Sequence, residues 1–209
     1  MVCVAGLEIR VAGHGDAAET AQTLARAFHD DPLFGWMLPA EGSRHRRLRR
    51  FFLTELRHES LRHGAVEVAC VDGRMAGAAV WFPPGTSLGT EASALPGYLR
   101  AFGRRMVPVA QFQSVAVRTH PREQPHWYLA FIGVDPARQG QGVGAALLRS
   151  RLRRCDQDGL PAYLEASNPE GVPLYQHLGF HVTGTLGLPE SAPDVNTMWR
   201  PGDPRDDAG

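Results

Sequence analysis

The stretch IGVDPARQGQGVGAALL, residues 132–148, decides the fold. It opens on the end of an apolar run, sets Gly140, Gly142 and Gly144 at alternate positions, and continues into a helical pattern. Glycine lets a backbone approach a ligand closely and take positive φ. A helix starting directly after such a loop aims its free N–H groups and the positive end of its dipole at whatever the loop holds. All 22 basic residues are arginine. A phosphate loop ending in GK[ST] is therefore excluded, as is lysine Schiff-base chemistry. Backbone amides must do most of the binding, which suits an extended pyrophosphate held without a metal.

Two other readings of the loop compete. Gly140, Gly142 and Ala145 fit the dinucleotide fingerprint, and Glu165 follows Ala145 by 20 residues, where a ribose-binding acid belongs. That fingerprint needs its first glycine directly after the strand, but DPARQ intervenes, and too little chain follows for the further parallel units. The glycines could also serve tight packing alone.

The surrounding chain reads as alternating strands and helices. LEIRVA (7–12) alternates apolar and polar residues, as a strand does. Asp16 is placed to cap a helix with Ala17, Ala21, Leu24 and Phe28 on one face. HDDPLFGW (29–36) reads as a loop broken at Pro32 and Gly35. A helix from about 43 to 63 carries Leu48, Phe52 and Leu56 at helical spacing, with Arg46, Arg49, Arg50 and Arg57 on a solvated face. AVEVACV (65–71) and MAGAAVWF (75–82) flank a DGR hairpin turn. Residues 85–125 are mixed, with a helix near 95–102. HWYLAFIGV (126–134) is almost wholly apolar, as a central strand covered on both faces is. Gly142 to Asp156 is helical and ends before Gly159 and Pro161. AYLEAS (162–167) is a strand, GVPLYQHLG (171–179) a short helix, and HVTGTLGL and TMWR are closing strands. The last residues, from about 201, read as a disordered tail.

Bulk properties narrow the function. A formal net charge of zero gives no case for nucleic acid or an anionic membrane surface as partner. The longest apolar stretches are too short to span a bilayer. The N-terminus lacks a secretory signal, so a cytoplasmic location is expected. Cys3, Cys70 and Cys155 are scattered and odd in number, which argues against a disulfide framework or a cysteine metal site. Cys70 and Cys155 read as small core residues.

Gln139-x-x-Gly142-x-Gly144, preceded by GVDP, resembles the acyl-CoA pyrophosphate loop of the GNAT superfamily of N-acyltransferases. That family continues through helix and strand to N-x6-Y-x3-GF, matched here by Asn168, Tyr175, Gly179 and Phe180. Within it, residues 126–200 most resemble the puromycin N-acetyltransferase branch, through HWYLAFIGVDP, GLPAYLEAS and PLYQHLGF.

The resemblance implies one α/β domain over residues 1–200. Its mixed sheet would splay between two parallel strands, with helices on both faces. It implies acetyl-CoA as co-substrate, without a metal. The backbone of Ile132, Gly133 and Val134 would hold pantetheine, with the Val134 N–H near the developing oxyanion. The amides of Gln139, Gly140, Gln141, Gly142, Val143 and Gly144 would hold the pyrophosphate. Tyr175 matches the family's general acid, and a phenol can protonate a departing thiolate. Asn168 either orients the cofactor or caps a turn.

The strand before the loop lacks the glutamate that many family members carry there. Glu165 is the best candidate base, with a buried ion pair to an arginine as its alternative; His29, Asp30, Asp31, His58 and His120 are further candidates. The acceptor is expected to be the primary amine of a small aromatic or aminoacyl molecule, in a monomer or homodimer. Phe34, Trp36, Trp81, Phe82, Trp127 and Tyr128 cluster in the acceptor-side segments, with core packing as the alternative for at least half of them. Polycations are disfavoured on this reading, because only Asp30, Asp31 and Glu123 offer local negative charge. A peptide or protein acetyltransferase and a non-catalytic acyl-CoA-binding module stand as alternatives.

Overall fold

The computed structural model describes residues 6–86 and 92–202. Cys3 and the end of the expected tail, residues 203–209, lie outside the described residues. β1 (Leu7–Val11), β2 (Val66–Val71), β3 (Arg74–Phe82), β4 (Trp127–Val134), β5 (Ala162–Ala166), β6 (His181–Thr185) and β7 (Asn196–Arg200) form one sheet. Their spatial order is β1-β2-β3-β4-β5-β7-β6. Every neighbouring pair is antiparallel except β4 and β5. The helices are α1 (Ala17–Ala27), α2 (Pro32–Met37), α3 (Glu41–His58), α4 (Leu95–Phe102), α5 (Met106–Thr119), α6 (Val143–Asp158) and α7 (Val172–His177).

The sheet separates two apolar layers. On one face, Ala21 and Leu24 of α1 and Leu48, Phe52 and Leu56 of α3 pack against Val68, Ala78 and Val80. On the other, Leu147, Leu148, Leu152 and Cys155 of α6 pack against Ala79, Trp81, Leu129 and Leu164. The β2–β3 hairpin turns at Asp72 and Gly73, whose φ values of 53° and 74° suit the right-handed twist of the pair. Arg46, Arg49, Arg50 and Arg57 are exposed, as a solvated helix face requires. No helix among the described residues is long and apolar enough to cross a membrane.

Four local expectations are corrected. Residues 32–37 are helical, because the Asp31 carboxylate accepts from the Leu33 and Phe34 N–H groups and Pro32 starts the turn, where its missing N–H costs nothing. Asp16 does not cap α1; its carboxylate accepts from the Gly13 N–H and pairs with Arg10 at 2.7 Å. Residues 106–119, left within a mixed region by the sequence reading, form α5 with Pro108 in its first turn. Cys155 is fully buried, whereas Cys70 is partly exposed beside a register shift between β2 and β3.

One irregularity in β4 positions everything that follows. Val80 pairs with Phe131 but Trp81 pairs with Leu129, so Ala130 is an extra residue. Such a bulge breaks the alternation of side chains. Tyr128, Ala130 and Phe131 all pack toward the α1/α3 layer, while Leu129, Ile132 and Val134 pack toward α6. The parallel ladder with β5 stops at the same point, at Leu129↔Leu164. Beyond it β4 and β5 diverge, and a gap opens between two strands of a continuous sheet.

Candidate active site

A cavity of about 1150 Å³ occupies this gap and extends beneath α3 and α4. It is bounded at one end by the glycine loop. Gly140 and Gly142 have φ of 74° and 85°, and Gly142 is the N-cap of α6 with no side chain bonded to the helix's first N–H groups. A Cβ added at Gly140 would meet nothing within 4 Å, so the space over the loop is open. Open N–H groups at the start of a 16-residue helix make a cradle for an anion. The side chains of Gln141 and Val143 turn elsewhere, the first back toward the Ala137 carbonyl at 3.4 Å and the second into the core. Only their amides remain for a ligand.

The free edge of β4 continues the cradle. The Asp135 N–H donates to the Ala76 carbonyl at 2.8 Å. In an antiparallel ladder, hydrogen-bonded and non-bonded pairs alternate. Gly133, opposite Ala78, therefore faces β3, while the N–H and C=O of Ile132 and Val134 face the gap. The Val134 carbonyl there accepts from the Gln139 side chain at 3.3 Å. Ile132, Gly133, Val134, Gln139, Gly140 and Gly144 all line the cavity.

Tyr175 enters from α7 and also lines the cavity, its ring over Gly171 and edge-on to Phe180 at 6.1 Å. Burial, aided by the nearby Asp31 carboxylate, pushes its hydroxyl up to about 12. Asp31 accepts from the Ser167 hydroxyl at 2.6 Å, which ties the start of α2 to the end of β5, and burial raises its carboxyl above the usual range. Asn168 is a cap: its side-chain oxygen accepts from the Glu170 N–H at 3.0 Å, while the residue still borders the cavity.

Among the described residues, no arginine pairs with Glu165. Strand alternation sets Tyr163 and Glu165 on one face of β5, and the parallel register sets Tyr128 opposite Tyr163. Glu165 accepts from the Tyr128 hydroxyl at 2.7 Å and from the Tyr163 hydroxyl at 3.1 Å. Burial raises its carboxyl above the ordinary glutamate range, and the two phenols oppose that rise. The result is a carboxylate facing the cavity with its pKa above the ordinary glutamate range. His29 and His58 do not line the cavity, and His120 lies behind Tyr128 and Tyr163.

Of the six aromatics, half line the cavity and half are engaged elsewhere, as the packing alternative allowed. Phe34, Phe82 and Tyr128 line the cavity. Trp81 is fully buried on the α6 side, Trp127 lies under the Arg151 guanidinium at 4.6 Å, and the Trp36 indole donates to Ser191. In their place stand Phe51, Tyr98, Phe102 and Phe131. The charge balance is corrected as well. Glu123 does not line the cavity; besides Asp30 and Asp31 it is lined by Glu55, Glu59, Glu165 and Glu170, none of which the sequence reading counted as acceptor-side charge. Glu55 had a legible signal: it lies seven residues after Leu48 and within one turn of Phe52 and Leu56, inside the apolar stripe of its helix.

Known proteins match this arrangement. The acetyltransferase (GNAT) family profile matches residues 24–180. An uncharacterised N-acetyltransferase of Schizosaccharomyces pombe is 27% identical over 177 residues, covering 79% of this chain and 70% of that protein. A mycothiol acetyltransferase of Paenarthrobacter aurescens is 39% identical over only 69 residues, covering 30% of this chain and 21% of its own. A crystal structure from Corynebacterium glutamicum, described as histone acetyltransferase HPA2 and related acetyltransferase, superposes with a TM-score of 0.74 at 28% identity, covering 94% of this chain and 97% of that one. None of these relatives is a puromycin N-acetyltransferase, so the match supports the superfamily and not that branch. With the splayed strands, the glycine cradle and the family profile in agreement, this chain belongs to the acetyltransferase (GNAT) family of N-acetyltransferases.

Proposed function

We propose that the protein transfers an acetyl group from acetyl-CoA to the primary amine of a small molecule with an apolar or aromatic body. One observation carries this reading: a phenol, Tyr175, and a hydrogen-bonded carboxylate, Glu165, border the same cavity at the gap between β4 and β5. Acetyl-CoA supplies an activated acetyl thioester. The amides of Gln139 to Gly144 hold its pyrophosphate, and the backbone of Ile132 and Val134 holds its pantetheine. Glu165 takes the proton that the amine loses on attack. Tyr175, kept protonated by burial, gives its proton to the departing thiolate. The Val134 N–H polarises the acetyl carbonyl. Phe34, Phe82, Phe131 and Tyr128 accommodate the acceptor's body by burial and ring contact. An aminoacyl nucleoside of the puromycin type is one member of this class.

The test is a panel of amines with acetyl-CoA, followed by thiol release. Puromycin, aromatic amino-acid amides, arylalkylamines, kanamycin and peptide N-termini are compared by kcat/KM. Aromatic small amines are expected to exceed peptides by about tenfold or more. A peptide preferred by that margin over every small amine refutes the reading of the acceptor.

A further inference from the structure

The far end of the cavity holds a carboxylate that the reaction above does not use. Glu55 lies on the buried stripe of α3 and is 9% exposed. Its two oxygens accept from the Ser60 hydroxyl at 3.0 Å and the Tyr98 hydroxyl at 2.5 Å. A carboxylate has about four acceptor positions, and among the described residues these two hydroxyls are the donors to it. Among the described residues no basic side chain pairs with it. The one basic side chain lining the cavity among those residues, Arg26, is held by Asp135 at 2.7 Å. A buried carboxylate with no counter-charge is costly, and a cation seated beside it removes that cost.

The walls around Glu55 are of the kind that receives a cation. Tyr98 lies 5.8 Å from Phe51, and Phe51 lies 5.3 Å from Phe102 and 5.8 Å from Phe131. All of these rings line the cavity. Ring faces attract an ammonium or guanidinium group, most strongly where water is excluded. The aromatic wall also joins the two ends of the site, since Phe131 and Tyr128 belong to one strand and Tyr128 donates to Glu165.

We propose that Glu55 and the rings around it form a second cation subsite, so that the preferred acceptor carries two cationic groups on an apolar or aromatic spacer. One amine is acetylated near Glu165, and the other cation rests against Glu55. The inference rests on the acceptor reading above and narrows it to dicationic amines. It reverses the expectation that polycations are disfavoured, because that expectation counted no carboxylate on α3.

Two amines of matched shape test it: p-xylylenediamine and 4-methylbenzylamine, which differ by one ammonium group. Binding to the full chain is measured by calorimetry, and turnover separately by thiol release. The diamine is expected to bind the wild type at least about tenfold more tightly, and Glu55→Gln is expected to erase most of that ratio. Binding of the two within threefold of each other on the wild type overturns the subsite, whatever the variant does. An unchanged ratio in a folded Glu55→Gln overturns the role of Glu55. Diamine binding with no thiol release from any amine removes the acetyl-transfer reading and leaves the subsite standing. Release from 4-methylbenzylamine with no diamine preference does the reverse.

Discussion

The Tyr128 hydroxyl donates to the Glu165 carboxylate at 2.7 Å, from β4 to β5 across the end of their parallel ladder. Tyr163 adds a second donor at 3.1 Å. Both phenols favour the charged carboxylate, and burial opposes them. In the proposed reaction Glu165 works deprotonated, so kcat/KM should fall as pH drops through its raised pKa. That limb should lie above the ordinary glutamate value of about 4.3. Tyr128→Phe removes a donor to the charged form and should move the limb to still higher pH. Glu165→Gln should lower kcat/KM by roughly 10²–10⁴-fold and abolish the limb. A limb that stays in place in both variants assigns the base elsewhere.

Tyr175 makes a different prediction. Its hydroxyl, pushed up to about 12, stays protonated through the working pH range. Tyr175→Phe keeps the ring over Gly171 and removes only the proton. Turnover should fall by roughly 10²–10⁴-fold with little change in acetyl-CoA affinity. Single-turnover kinetics check this, since they report the chemical step. Unchanged single-turnover rates exclude the general-acid role.

How much of this was written in the sequence depends on whether the cause is local. The loop from Gln139 to Gly144 was legible because positive φ and a helix start are properties of adjacent residues. Tyr175 was legible through its spacing from Asn168 and Phe180. The six-residue α2 was not, since Pro32 looks like a breaker until Asp31 is seen capping the residues that follow it. The aromatic cluster was read from residues 34–36, 81–82 and 127–128, and the bulge at Ala130 turned Phe131 toward the cavity and left Trp127 on the other face. Glu55 was visible as a glutamate inside an apolar stripe, but its partner was not. A glutamate in an apolar stripe is read as an exception until Tyr98, 43 residues away, is found donating to it.

Gly142 carries the prediction for the cofactor. Its φ of 85° belongs to the left-handed region, which side chains with a Cβ rarely adopt. Gly142→Val should strain the turn and spoil the cradle at the start of α6. The acetyl-CoA dissociation constant should rise at least about tenfold, or about 1.4 kcal/mol. NADH should bind neither protein. Calorimetry showing tight NADH binding and no binding of CoA refutes the assignment of the loop.

The His120–His126 pair behind β4 and β5 carries a prediction about acid stability that is independent of turnover. Their Nε2 atoms are 3.0 Å apart, so one ring donates and the other must accept. His126 is 8% exposed and its Nδ1 lies 2.9 Å from the Gln124 carbonyl. Tyr128, Tyr163 and Trp199 surround the pair. Burial, with His126 and Arg122 nearby, lowers His120 to about 4. The folded state therefore holds the neutral ring, whereas the unfolded chain takes a proton near 6.5. The stabilisation tied to this group is complete above pH 6.5 and is lost as pH falls from there toward about 4. Thermal unfolding should show Tm dropping across that window. His120→Gln keeps a polar side chain and removes the titration, so its Tm should drop less between pH 7 and pH 5. An equal drop in the two proteins assigns the acid sensitivity to groups other than Asp31, Glu55 and Glu165, whose raised pKa values act in the opposite direction.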